Sequence, residues 1–239
     1  VIARAADDAR RDVEQELQDF SYQVSHDLAA ALRQVTAFSQ LLLEESGSAL
    51  SERQRSHAER ITAANTQCQA MMEQLLVFSR AQQKALVIGR QAATPIVELA
   101  KLQCSMEVYA QGSEVAIAPL GEVDADADLL ALALRHLLDN ALKFHPRADP
   151  ARVSVSSAVD QGFWRLRIAD KGIGVEPPYR EPAFRMFRRL NRDGEFPGAG
   201  AGLAICRRIA RRHGGDVQFQ DCDVGAVVEL SLPHAAATP

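Results

Sequence analysis

Four groups of residues have types and spacings that can do chemistry. His26 stands beside Asp27 in the run FSYQVSHDLAAALRQ. An imidazole facing water next to a carboxylate is either a reactive nucleophile or one more polar residue on a solvated face. Asn140 and Lys143, in LRHLLDNALKF, are three apart and so share one side of a helix. An amide oxygen suits Mg2+ and an ammonium suits phosphate oxygens, although both residues are also ordinary on a helix surface. In IADKGIGV a strand-like run ends in Asp170 and enters Gly172 and Gly174. A carboxylate there can accept a hydrogen bond from an adenine amino group while the glycines let the backbone approach a flat ligand; a plain glycine turn explains the run equally well. Gly198, Gly200 and Gly202 alternate just before a helical run in FPGAGAGLAICRRIARRHGG. Free N–H groups and the positive end of a helix make such a place a ready anion site. The spacing is neither the dinucleotide fingerprint nor the P-loop.

These groups need elements to hold them. Apolar residues at 2, 6, 9, 13, 17, 20 and 24 step by three or four and predict a bundle helix running to about residue 43. Gly47 breaks it, and Ser51 with Gln54 reads as the capping box of a second helix. That helix carries His57, Ile61, Ala64, Cys68, Met71, Leu75 and Phe78 at the same spacing. A two-helix hairpin with so open a stripe predicts a symmetric four-helix bundle from two chains. The helical period stops near residues 84–92. Beyond it the pattern predicts a helix capped at Thr94-Pro95, a strand at 115–118, and a strong helix over 126–144. Paired strands over 152–159 and 164–169 turn at Asp160-Gln161-Gly162, and a helix over 201–212 and a closing strand in AVVELSLP complete the order. The expected fold class is α+β, a helical hairpin followed by an α/β sandwich.

The bulk composition excludes other classes. With 239 residues and 47% hydrophobic content the chain can bury a proper core, and its net charge of -4 gives no general pull toward nucleic acid or anionic membrane. The basic run Arg207, Arg208, Arg211 and Arg212 lacks interleaved aromatics and reads as an exposed helix face. No apolar run approaches a membrane span, and the four scattered cysteines fit a reduced, cytoplasmic setting rather than a disulfide framework or zinc site. The sequence begins with Val1, as a piece cut from a longer protein would.

Taken in order, His26-Asp27, Asn140 with Lys143, Asp170-x-Gly172-x-Gly174, Phe184-x-x-Phe187 and Gly198-x-Gly200-x-Gly202 resemble the core of a bacterial sensor histidine kinase. The resemblance covers nearly the whole chain. Its wording in SHDL and FRRLNRDGEFPGAGAGLAICRRIARRHGG looks most like the phytochrome-associated subgroup. It implies a dimerisation and histidine phosphotransfer hairpin over residues 1–84 and an ATP-binding domain of the gyrase and heat-shock chaperone type over 92–235.

By that resemblance His26 is the phosphoacceptor and Asp27 the acidic neighbour that takes or orients its proton. Asn140 ligates Mg2+, Lys143 meets phosphate and Asp170 holds the adenine of ATP. Gly172, Gly174, Gly198, Gly200 and Gly202 shape the nucleotide site. Residues 177–197 become a mobile lid packed by Phe184 and Phe187, with Arg189 available to the γ-phosphate. The partners implied are a second copy of the chain and the receiver domain of a response regulator, with no sensor domain in this sequence. Family members usually have Thr or Ser where Ala199 stands, a larger residue at Ala201, and Gly-Thr where Gly225-Ala226 lies. A non-catalytic dimeric scaffold with a degenerate ATP site is the alternative these alanines raise. An ATPase of the gyrase or chaperone type leaves His26 without a role.

Overall fold

Ser51 and Gln54 close a capping box at the start of the second helix: the Gln54 N–H donates to the Ser51 hydroxyl at 3.3 Å, and the Ser51 N–H donates to the Gln54 side-chain oxygen at 2.9 Å. The structure is a computed structural model and describes residues 28–45, 50–104, 112–146, 150–190, 196 and 198–234. It divides into two units, Val1–Arg80 and Ala81–Pro239.

In the first unit residues 28–45 are helical (α1), and Glu52–Gln83 form the helix that Ser51 caps (α2). The seam between them is small and polar. Ala29, Ala58 and Asn65 are buried, and the Asn65 amide donates to the Leu32 carbonyl and to the Thr36 hydroxyl, which also accepts from Gln69 at 3.0 Å. Of the apolar stripe read from the sequence, positions 2–24 fall outside the described residues, and on α2 Met71, Leu75 and Phe78 are half-buried. Ile61, Ala64 and Cys68 are exposed, as are Val35, Phe38, Leu41 and Leu42 on α1.

In the second unit, strands β1 (Gly89–Ala92) and β3 (Glu122–Ala125) form an antiparallel pair, and the five-stranded sheet runs β2 (Glu114–Ile117), β4 (Arg152–Asp160), β5 (Phe163–Asp170), β7 (Val227–Pro233), β6 (Asp216–Gln220). Only β2 and β4 are parallel within that sheet. Val153, Val155, Leu166, Ile168, Leu230 and Leu232 alternate along their strands and are buried. Three helices supply the other half of the sandwich: α3 (Ala93–Leu102), α4 (Ala127–Lys143) and, after the short α5 (Pro177–Arg180) and a 3-10 turn at Pro182–Phe184, α6 (Gly202–Arg212). The hairpin between β4 and β5 turns through Gln161 and Gly162, both with positive φ, the geometry that fits the twist of the flanking strands. Strands β1, β3 and β6 escape sequence reading because they are short and rich in polar residues, and only long-range pairing makes them strands.

Asp126 sets the start of α4. One carboxylate oxygen accepts from the Leu129 N–H at 3.1 Å and from Lys84 at 2.8 Å, and the other accepts from the Val87 N–H at 3.1 Å. Burial pulls its pKa upward, but these donors outweigh it and hold the carboxyl below its ordinary value. Its own N–H donates to buried His213 Nε2 at 3.1 Å, while His213 Nδ1 donates to the Ile209 carbonyl.

Two local expectations are corrected. Thr94 does not cap α3: that helix starts at Ala93 without a side-chain cap, and the Thr94 hydroxyl accepts from the Leu120 N–H. The arginines of α6 are not a uniformly exposed face. Arg207 lies 4.4 Å from the centre of the Phe184 ring and pairs with Asp216 at 2.9 Å and Glu181 at 2.6 Å. Arg212 donates to the carbonyls of Ala81 and Lys84. Charge counts in the sequence cannot tell a solvated arginine from one whose planar head finds carbonyls or an aromatic face.

Candidate functional site

The last turn of α4 carries Asn140 and Lys143, held in place by Leu134, Leu137, Leu138 and Leu142 buried on the core side. Lys143 Nζ sits 4.3 Å from the centre of the Phe144 ring and has no hydrogen-bonded or paired carboxylate among the described residues. Burial lowers its pKa, the nearby charge of Arg189 adds to this, and Asp139 opposes it. The Asn140 amide also has no partner among the described residues. A half-buried ammonium without a hydrogen-bonded carboxylate is well matched by an incoming anion.

The second wall hangs from the same turn. The Phe144 carbonyl accepts from the Ile173 N–H at 3.0 Å and so fixes the loop after β5. Asp170 Oδ1 accepts from the N–H of Gly172 at 2.8 Å and of Ala226 at 3.2 Å, which leaves Oδ2 without a partner among the described residues. Burial raises the Asp170 pKa and those two donors counter it. A Cβ at Gly172 would strike the Phe144 carbonyl, and one at Gly174 would come 2.7 Å from the Gly225 carbonyl oxygen. Glycine is therefore demanded by close backbone packing at both places.

The third wall is the loop into α6. A Cβ at Gly198 would lie 3.2 Å from Lys143 Nζ, one at Gly200 would lie 3.0 Å from Arg189 Cγ, and Gly202 rests on the ring of His136. Helix α6 opens without help: Ala201 gives no side-chain cap, no acid occupies the first turn, and the Gly202, Leu203 and Ala204 N–H groups have no partner among the described residues. Ala199 and Ala201 are buried, so both side chains are packed inward.

Arg189 donates to the Phe196 carbonyl at 2.9 Å, and the Phe196 ring meets Phe144 at 5.1 Å, which ties the start of the glycine loop to α4. Phe184 is buried against Phe219 at 5.5 Å beneath Arg207, so 177–184 is a docked segment rather than part of a free lid. Residues 191–195 and 197 fall outside the described residues, as do His26 and Asp27. The described structure thus brings Asn140, Lys143, Asp170, Gly172, Gly174, Arg189, Gly198, Gly200 and Gly202 around the end of one helix. It adds His136, which sequence reading passed over although it lies four residues before Asn140 and so shares its side of α4.

Residues 16–84 match the His Kinase A (phospho-acceptor) domain, and residues 125–236 match the Histidine kinase-, DNA gyrase B-, and HSP90-like ATPase domain, together about three quarters of the chain. The chain belongs to the histidine kinases. It is 26% identical over 219 residues to the Phytochrome-like protein Cph1 of Synechocystis sp., covering 91% of this chain and 29% of that protein. Against the Histidine protein kinase DivJ of Caulobacter vibrioides it is 28% identical over 236 residues, covering 92% of this chain and 38% of the relative. The crystal structure of full-length ShkA in complex with AMPPNP superposes with a TM-score of 0.63 at 26% identity, over 92% of this chain and 47% of that one. The chain therefore spans less than half the length of these relatives.

The residues of this site fit an adenine nucleotide. The half-buried Asp170 carboxylate has one oxygen without a partner among the described residues, and Lys143 and the uncapped start of α6 offer an ammonium and N–H groups without partners among them. No cluster of His, Cys, Asp or Glu able to hold a metal occurs among the described residues. Asn140 is the neutral oxygen donor on this side of α4 that fits a magnesium ion shared with phosphates. No described helix is long and apolar enough to cross a membrane.

Proposed function

We propose that this chain is the ATP-dependent core of a sensor histidine kinase that phosphorylates its own His26 and passes the phosphoryl group to an aspartate of a response-regulator receiver domain. The observation that carries the reading is Lys143: a half-buried ammonium with no hydrogen-bonded carboxylate among the described residues, beside a glycine loop and an uncapped helix start, in a chain that also matches the phospho-acceptor domain. Asp170 accepts from the adenine amino group, and Lys143 with the N–H groups of 202–204 neutralises phosphate oxygens. Gly172, Gly174, Gly198 and Gly200 keep the backbone close to the nucleotide, and Arg189 orders the loop through Phe196. Asn140 would hold a magnesium ion, which would supply neutralisation of the charge developing on phosphate oxygens.

One ring nitrogen of His26 attacks the γ-phosphorus in line, the bond to the β-phosphate oxygen breaks, ADP leaves with that electron pair, and the proton on the other ring nitrogen moves toward Asp27. The exposed stripe of Ile61, Phe38, Leu41 and Leu42 supports a homodimer that closes a four-helix bundle. We assign residues 1–84 to the phosphotransfer hairpin and 92–235 to the ATP domain, and a cytoplasmic setting fits the absence of apolar spans among the described helices. The test is incubation with γ-labelled ATP and Mg2+. Label that is acid-labile, base-stable and absent in His26→Gln is expected; label persisting in that variant removes His26 from its role, and no label at all favours a scaffold.

A further inference from the structure

The boundary between the two units falls inside a helix. α2 runs to Gln83, yet its last residues, 81–83, belong to the second unit, Ala81–Pro239. Within that unit they are held firmly. Ala81 is 2% exposed, and the Arg212 guanidinium at the end of α6 donates to the carbonyls of Ala81 and Lys84. The final carbonyls of a helix lack partners along the helix, and a cation at that end also complements its dipole. Lys84 bridges Asp126 and Asp128 at 2.8 Å to each, and the Val87 N–H donates to Asp126 at 3.1 Å. His213 joins the two anchors, since its Nε2 accepts from the Asp126 N–H. The last turn of α2 is thus fastened to the start of α4 and the end of α6, the helices whose opposite ends carry Lys143 and Gly202. Residues 84–92, where the helical period stops in the sequence, are anchored in the same unit through Lys84, Val87 and the pairing of β1 with β3.

We infer that Arg212 is a positioning residue for phosphoryl transfer: by fastening the last turn of α2 to the ATP domain, with Lys84 and Asp126 as a second fastening, it limits the orientations in which the nucleotide is presented to His26. The inference rests on the histidine-kinase reading of the chain. His26 and the nucleotide residues belong to separate units, so in-line attack needs one unit brought to the other. Each freedom removed beforehand raises the effective concentration of the γ-phosphate at the imidazole. With Ala81 to Val87 fixed, reorientation of the ATP domain bends α2 before Ala81 instead of swinging on 84–92. Arg212 stands ten residues along α6 from Gly202, about 15 Å at the helical rise, so its effect falls on the transfer step and not on nucleotide binding.

The test measures ATP affinity, and the rate of His26 labelling at saturating γ-labelled ATP, in the parent chain, Arg212→Met, Lys84→Met and Arg211→Met, well below their melting temperatures. Arg212→Met and Lys84→Met should label about tenfold more slowly while ATP affinity and KM stay within about twofold of the parent, and Arg211→Met should match the parent in both. Parental labelling by Arg212→Met overturns the inference, as does a loss of ATP affinity in step with the loss of label. Should neither of the first two variants fold, amide exchange in the parent decides: a Val87 amide protected like the amides of α4 is expected, and one exchanging as in an open chain overturns the fastening. A parent that binds ATP without labelling His26 overturns the kinase reading itself, and this inference with it.

Discussion

Gly198 lies against Lys143: a Cβ on its backbone would stand 3.2 Å from the ammonium, and its φ is +133°. This contact joins two stretches more than fifty residues apart and makes the end of α4 and the glycine loop one surface. Gly198→Ala must strain the loop and crowd the ammonium at once. A non-glycine residue in left-handed backbone costs roughly 1–2 kcal/mol, and the variant should bind ATP about 5- to 30-fold more weakly. Titration with a fluorescent ATP analogue measures this; unchanged affinity would remove the loop from the site.

Lys143→Met should separate binding from stability. The ammonium is desolvated without a carboxylate partner, so its removal should leave the nucleotide-free protein as stable as the parent or more so, while ATP affinity falls at least about tenfold. The lysine's folded pKa is lowered, so between that value and its ordinary 10.5 the unfolded chain binds more protons. Parent stability should therefore gain a rising contribution with pH in this window, absent from the variant. Melting curves across alkaline pH provide the check.

Asp170→Asn should abolish nucleotide binding and keep the fold. An asparagine oxygen can still accept from Gly172 and Ala226, but the turned amide no longer offers an anionic acceptor to an amino group. Because burial raises the folded pKa of Asp170, the native state holds its proton longer than the unfolded chain does. Its contribution to stability falls as pH climbs above 3.8 through that range, and the asparagine variant should lack this slope. Adenosine binding at neutral pH, retained at parental strength, would contradict the assignment.

Arg212 and Arg211 should differ sharply although they are neighbours in a basic run. Arg212 donates to the Ala81 and Lys84 carbonyls, and charge-assisted bonds of this kind contribute about 1.5–3 kcal/mol. Arg211 is exposed and only shares Asp216. Arg212→Met should lower the melting temperature by several degrees and speed amide exchange at 81–84, whereas Arg211→Met should stay within about 0.5 kcal/mol of the parent.

Phe38, 71% exposed, and Ile61 test the dimer. Glutamate at both positions should leave a monomer by light scattering with ATP affinity unchanged. A dimer of undiminished strength would place the interface on another face.

The sequence by itself determined every element whose signal is local. The capping box at Ser51 and Gln54, the leucine-rich period of α4, the turn at Gln161-Gly162 and the alternation of β4 and β5 each depend on neighbours within a few residues. The four chemical groups were legible for the same reason, as residue types at fixed spacing. Tertiary structure alone decided what lies across from what. Asn65 faces α1 through a small polar seam, and Ile61, Ala64 and Cys68 of the stripe stay exposed. Arg207 and Arg212 are absorbed by Phe184 and by backbone carbonyls that arrive from elsewhere in the chain. Lys143 meets Gly198 and His136 meets Gly202 because α4 and α6 pack side by side, a long-range contact that no local spacing encodes.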